Sequence, residues 1–111
     1  MKTKILMAMA LCSGLYLVRN LYIILLQLPD EAAQGAIYRI MYFHVPGWIT
    51  SFSAYFLAAV ASLYYLVKRD SRADEFAVAL TEVGTIFTLL GLGTGMVWAR
   101  IIWGVWCVWD P

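Results

Sequence analysis

The hydrophobic residues of this chain fall into three long runs that are separated by short polar segments. The runs cover residues 5–28, 48–67 and 76–98, and a helix needs about 20 residues to cross the hydrocarbon core of a bilayer. None of the runs alternates apolar and polar side chains, so the pattern does not indicate strands. A membrane-spanning helix satisfies its own backbone hydrogen bonds. The pattern therefore predicts an all-α membrane domain with three transmembrane helices.

Composition supports an integral membrane protein. Of the 111 residues, 63% are hydrophobic and 14% are charged, whereas charged residues make up about 25% of an ordinary soluble domain. A net charge of +1 gives no electrostatic reason to expect a nucleic-acid partner. We expect one membrane domain over residues 1–111, surrounded by lipid, with Gly84, Gly91 and Gly95 giving the third helix a smooth face for close packing.

Basic residues mark two of the polar segments. They are Lys2, Lys4, Lys68, Arg69 and Arg72. Because cytoplasmic segments are enriched in Lys and Arg, this distribution predicts a cytoplasmic N-terminus. Residues 29–47 and residues 103–110 would then lie together on the outer side of the membrane.

The only histidine lies at the entrance of the second run. His44 is followed by Pro46 and Gly47, which predict a break or a helix start there, so the imidazole is expected at the membrane surface. An imidazole can be an axial ligand of haem iron. The alternative is an interfacial histidine whose polar atoms are satisfied by the backbone.

Tryptophans are concentrated at the end of the chain. Trp103, Trp106 and Trp109 recur every three residues, so in a helix they would share one side. Such indoles either anchor the helix at the membrane interface or stack on a planar ligand. Arg39 and Arg100, on the same side of the membrane, would pair with haem propionates or extend to the interface as ordinary membrane arginines.

Other chemistry is sparse. Cys12 and Cys107 do not form a Cys-x-x-Cys pair, and the sequence has no phosphate loop, nucleophile motif or paired carboxylates. The residues therefore leave open whether the protein is an enzyme.

Two segments carry a family resemblance. Residues 38–46 (YRIMYFHVP) resemble the entrance of the second helix in the CcmC family of cytochrome c maturation proteins. Residues 94–104 (TGMVWARIIWG), followed by Trp109 and Asp110, resemble the tryptophan-rich WWD signature of that family. The charged connector before the third helix and residues 82–88 fit as well, so the resemblance covers nearly the whole chain from Gln34 onward.

The resemblance implies a haem-handling protein of the bacterial inner membrane. Such a protein works with an ABC-type complex and passes b-type, non-covalently held haem to a periplasmic haem chaperone, which is transfer rather than conventional catalysis. It implies that His44 is an axial ligand of the haem iron. The implied haem platform is Trp103, Trp106 and Trp109, with Asp110 as an orienting acceptor at its edge.

Two departures from the family pattern qualify the resemblance. A family tryptophan is replaced by Cys107, with Trp106 one position earlier. Family members have about six helices and a second histidine, so we expect three helices truncated from a bundle of that size. Two alternatives remain: the sibling haem-lyase or cytochrome c synthase branch of the WWD superfamily, and a structural membrane subunit that binds no haem.

Overall fold

The computed structural model describes residues 1–107, and this part of the chain is all-α, as predicted. Helix α1 spans Lys2–Tyr22 and continues as a π-helical turn over Ile23–Gln27. A 3₁₀ turn, Ala36–Ile40, leads into α2 (Met41–Lys68), which is followed by α3 (Ser71–Trp103). Trp109 and Asp110 lie outside the described residues.

Each of the three helical segments is long and apolar enough to cross a membrane. They are Lys2–Gln27, Ala36–Lys68 and Ser71–Trp103. Many large hydrophobic side chains on them are exposed; Leu15, for example, is 71% exposed and Phe56 70%. In water such surfaces would be unfavourable, and in a bilayer they face lipid. The prediction of three helices capable of spanning a membrane is confirmed.

The chain folds as two compact units, of which the first is Met1–Arg39. The polar segment after α1 is held by its own hydrogen bonds. Glu31 Oε2 accepts from the backbone N–H groups of Ala33 and Gln34, and Gly35 takes a positive φ of 66° that closes the turn. The Tyr38 hydroxyl donates to the carbonyl of Pro29.

The second unit begins at Ile40 and is built on an antiparallel hairpin of α2 and α3. Only Arg69 and Asp70 separate the helices. Arg69 adopts a left-handed conformation at φ 55° and its N–H donates to the carbonyl of Tyr65. Asp70 caps α3, because its side chain accepts from the N–H of Arg72. So short a connection fixes the two helices as neighbours.

Small residues fill the contact between these two helices. They are Gly47, Ser51, Ala54 and Ala58 on α2, and Ala77, Gly84, Gly91 and Ala99 on α3. Small side chains allow helix backbones to approach closely where lipid supplies no hydrophobic driving force. The predicted close packing of the glycine face of the third helix is therefore confirmed.

Helix α2 differs from the sequence-based expectation at Pro46. The helix begins at Met41 and continues through Pro46, instead of starting or breaking at Pro46 and Gly47. Proline has no backbone N–H, so the helix lacks the hydrogen bond that residue 46 would donate. Because Pro46 is only the sixth residue of α2, the helix tolerates this loss. His44 consequently lies in the first turn of a continuous helix rather than in a loop.

Candidate functional site

Three rings of α2 lie on the helix face that is turned toward α3. They belong to His44, Trp48 and Tyr55, whose spacing of four and seven residues places them in one row. Each ring lies against a glycine of α3, where an added Cβ would come within 2.8 to 3.1 Å of the ring. The glycines are, in the same order, Gly95, Gly91 and Gly84. The rings therefore occupy the space that side chains on α3 would otherwise fill.

His44 is half-buried at the outermost position of this row. Its Nδ1 lies 3.1 Å from the hydroxyl oxygen of Thr94. The edge of its ring meets Trp48, with 6.2 Å between ring centroids and 79° between the planes. The partner of the imidazole is therefore a side chain of the neighbouring helix. The alternative interpretation, an interfacial histidine satisfied by the backbone, would give it a backbone partner.

Further hydrogen bonds join the helices on the other side of Trp48. The Ser51 hydroxyl, which is 1% exposed, lies 2.6 Å from the Thr88 hydroxyl. The Tyr55 hydroxyl lies 3.1 Å from that of Thr85. In a membrane such interhelical hydrogen bonds fix the register of two helices.

The tryptophan-rich end does not continue as a helix within the described residues, so its indoles do not form a single helical row there. Helix α3 ends at Trp103, because Gly104 adopts φ 77°, a left-handed conformation that ends many helices. Trp103 packs edge-to-face on Trp98, with 4.9 Å between ring centroids. Trp103 and Trp106 are 60% and 54% exposed. Both indoles offer apolar surface, but Trp103 is the last residue of α3 and Trp106 belongs to the segment that follows it.

Arg100 and Trp106 are brought together at this end. The guanidinium carbon of Arg100 lies 6.0 Å from the centroid of the Trp106 ring, a cation–π distance. The Arg100 side chain also donates to the carbonyl of Gly104. Both contacts hold the turn that follows α3.

Arg39 belongs to the first unit and already has acceptors. Its Nη2 lies 2.8 Å from Asp30 Oδ1 and donates to the carbonyl of Leu28. Its Nε is buried without a hydrogen-bond partner among the described residues. A propionate at Arg39 would compete with Asp30 for the guanidinium.

His44 and the tryptophan-rich end lie at the same end of the α2–α3 hairpin but at different levels. Thr94, the partner of His44, precedes Trp103 by nine residues, which is about 14 Å along a helix. Among residues 1–107 there is no group of three or more His, Cys, Asp or Glu side chains that could hold a metal ion. The donor set nevertheless fits haem, which needs an axial nitrogen and apolar surface from the protein.

The sequence did not reveal Thr94 or Trp48 as neighbours of His44. The contact between His44 and Thr94 joins positions that are 50 residues apart. The signal that would identify it is the short turn at Arg69 and Asp70, which sets the register of the two helices.

Several known proteins similar to this chain carry the same name. The family model for heme exporter protein C (CcmC) matches residues 1–111. Heme exporter protein C of Escherichia coli strain K12 is 40% identical over 82 residues, covering 74% of this chain and 34% of that protein. For Haemophilus influenzae the identity is 39% over 82 residues, 74% of this chain and 33% of the relative.

The protein of the same name from Bradyrhizobium diazoefficiens is 42% identical over 83 residues, covering 74% of this chain and 31% of the relative. The chain spans about a third of the length of the curated relatives it matches. No solved structure matches the chain significantly.

Proposed function

The chain belongs to the heme exporter protein C family, and we propose that it handles haem during cytochrome c maturation. Haem is the cargo in this proposal. It is held non-covalently, as b-type haem, and is presented on the periplasmic face of the bacterial inner membrane. The chain binds and presents haem, and no covalent step is assigned to its residues.

The observation that carries this proposal is the placement of His44. The only imidazole of the chain is held half-buried against Gly95 and hydrogen-bonded to Thr94, at the hairpin end where the exposed indoles of Trp103 and Trp106 also lie. His44 supplies one axial nitrogen to the iron. The chain supplies at most one histidine ligand, because the sequence contains one histidine, and a bis-histidine haem would need its second histidine from elsewhere.

The basic residues give the proposed orientation. Lys68, Arg69 and Arg72 lie at the α2–α3 turn, opposite to the end that carries His44. The positive-inside rule places this turn in the cytoplasm, so His44 faces the periplasm. Lys2 and Lys4 place the start of α1 on the cytoplasmic side as well.

The proposed partners follow from the family and from this orientation. They are the subunits of an ABC-type cytochrome c maturation complex and a periplasmic haem chaperone. The exposed indoles of Trp103 and Trp106 provide apolar surface on the periplasmic side, where haem would pass to the chaperone. Outside the described residues, Trp109 is proposed to belong to the haem platform and Asp110 to act as an orienting acceptor for haem.

The test is the haem content of purified protein in detergent. His44→Ala is expected to remove most haem or to change the ferric and ferrous spectra strongly, since the variant lacks the axial nitrogen. Phe56→Ala, which changes a 70% exposed side chain on α2, is the matched control and should retain haem. Unchanged haem content and spectra in His44→Ala, at equal expression, would refute the proposed role.

A further inference from the structure

We propose that Thr94 is a positioning residue for His44. Its hydroxyl accepts the hydrogen bond of Nδ1–H and thereby fixes the imidazole in the tautomer whose Nε2 lone pair is available to haem iron. Only the last step, the use of Nε2 by iron, rests on the proposed function. The tautomer itself is a property of the protein without haem.

The Thr94 hydroxyl carries a single hydrogen. Oγ1 lies 2.7 Å from the carbonyl oxygen of Leu90 and 3.2 Å from that of Gly91. Both carbonyls only accept, so the hydroxyl hydrogen is directed to the preceding turn of α3. The hydroxyl oxygen keeps its lone pairs for other donors.

The 3.1 Å contact between Thr94 and His44 therefore has one direction. Its hydrogen comes from Nδ1, because the hydroxyl hydrogen is already used within α3. In a neutral imidazole one nitrogen carries hydrogen and the other carries the lone pair. Nδ1 is then the donor, and Nε2 is the nitrogen that binds a metal.

The other threonine contacts of α3 follow the same rule. Thr85 and Thr88 donate to the carbonyls of Thr81 and Gly84, four residues earlier. Their hydroxyl oxygens meet the hydroxyls of Tyr55 and Ser51 on α2. Threonines of α3 thus use their hydrogens within their own helix and present acceptors to α2. Thr94 is the member of this set whose partner is an imidazole.

Close packing limits the space around the imidazole ring. His44 Cε1 lies so close to Gly95 that a Cβ added to this glycine would be only 2.8 Å from it. The Trp48 ring makes a T-shaped contact with the imidazole. Within residues 1–107, Nε2 has no hydrogen-bond partner. Histidines that bind metals usually donate their second N–H to another group, which fixes the tautomer and the ring direction. Thr94 is placed to be that group.

The tautomer can be read directly, because the chain contains one histidine. The protein is labelled with ¹⁵N-histidine, purified in detergent without haem through a histidine-free tag, and examined by long-range ¹H–¹⁵N correlation of the neutral ring. The wild-type protein is expected to show protonated Nδ1 and unprotonated Nε2. Thr94→Val, which keeps the shape but removes the acceptor, should yield a mixture or the Nε2–H form.

Two variants serve as controls. Thr94→Ser retains a hydroxyl and is expected to retain the wild-type tautomer. Thr88→Val removes the equivalent hydroxyl opposite Ser51 and should leave the His44 signals unchanged. An Nε2–H form in the wild-type protein, or an unchanged Nδ1–H form in Thr94→Val, would overturn the proposal.

Haem titration then tests the use of Nε2. Thr94→Val is expected to weaken haem affinity roughly tenfold or more, as loss of a group that orients a metal ligand typically does, while Thr94→Ser stays near the wild-type value. A changed tautomer with unchanged haem affinity and spectra would overturn the link to iron. Failure of the proposed function would give a different result. His44→Ala would then retain its haem, whichever tautomer His44 adopts in the wild-type protein.

Discussion

Individual side chains around His44 act through their shape as well as through their polar atoms. Thr94 supplies the hydrogen-bond acceptor, and Gly95 supplies the space in which the imidazole lies. An added methyl group at Gly95 would meet His44 Cε1 at 2.8 Å, so the ring would have to move. A small displacement of a metal ligand weakens binding without unfolding the protein.

Gly95→Ala is therefore expected to lower haem affinity at least severalfold while the protein still folds. Gly93→Ala is the matched control, because a Cβ at Gly93 meets nothing within 4 Å and both changes raise helix propensity equally. Haem titration and thermal stability in detergent measure the two effects. Equal haem affinity in the two variants would contradict the role of Gly95.

At this scale the sequence predicted some features and missed others. The sequence identified His44 as a candidate site residue because it is the only histidine. It identified the tryptophans because they are clustered near the end of the chain. Trp103 and Trp106 would share one side only in a continuous helix, and Gly104 ends α3 between them with a positive φ. A single glycine in a hydrophobic run does not reveal its φ angle, so the pattern could not show this end.

At the level of elements, the two-residue turn determines which side chains meet. In each interhelical pair, the two residues are nearly the same number of positions away from the turn at Arg69 and Asp70. The pairs are His44 with Thr94, Ser51 with Thr88, and Tyr55 with Thr85. This register follows from the turn once its position is known. The sequence predicted a charged connector there, but neither its two-residue length nor the extension of α2 to Met41 through Pro46.

The glycine face of α3 gives a prediction about stability. Gly91→Leu should destabilise the protein by about 1–3 kcal/mol, a typical cost of overpacking, because a Cβ at Gly91 already meets Trp48 Cε2 at 2.9 Å. Gly93→Leu makes the same chemical change where space is open and should have little effect. Thermal unfolding in detergent measures both. Equal melting temperatures would mean that Gly91 faces lipid.

For the whole molecule, the distribution of charge determines the expected orientation. By the positive-inside rule, the basic turn between α2 and α3 and the lysines at the start of α1 are expected on the cytoplasmic side. In that orientation the turn held by Glu31 and Gly35 is expected in the periplasm. The sequence correctly predicted three helices capable of spanning a membrane, because length and apolar composition decide whether a helix can cross a bilayer. Orientation requires a measurement.

Cysteine labelling of intact cells provides that measurement. The two native cysteines are both exposed, so Cys12 and Cys107 are first replaced by serine. A membrane-impermeant maleimide is expected to label Ala33→Cys from outside and to leave Ser71→Cys unlabelled until the membrane is permeabilised. The reverse pattern would place His44 on the cytoplasmic side and contradict the proposed periplasmic site.

Chemical rescue tests whether His44 supplies an axial nitrogen to haem iron. His44→Gly removes the imidazole and leaves room for a free one. This variant is expected to lose the wild-type ferric spectrum, and added imidazole is expected to restore it at concentrations that leave the wild-type spectrum unchanged. A wild-type spectrum in His44→Gly without imidazole would contradict the account.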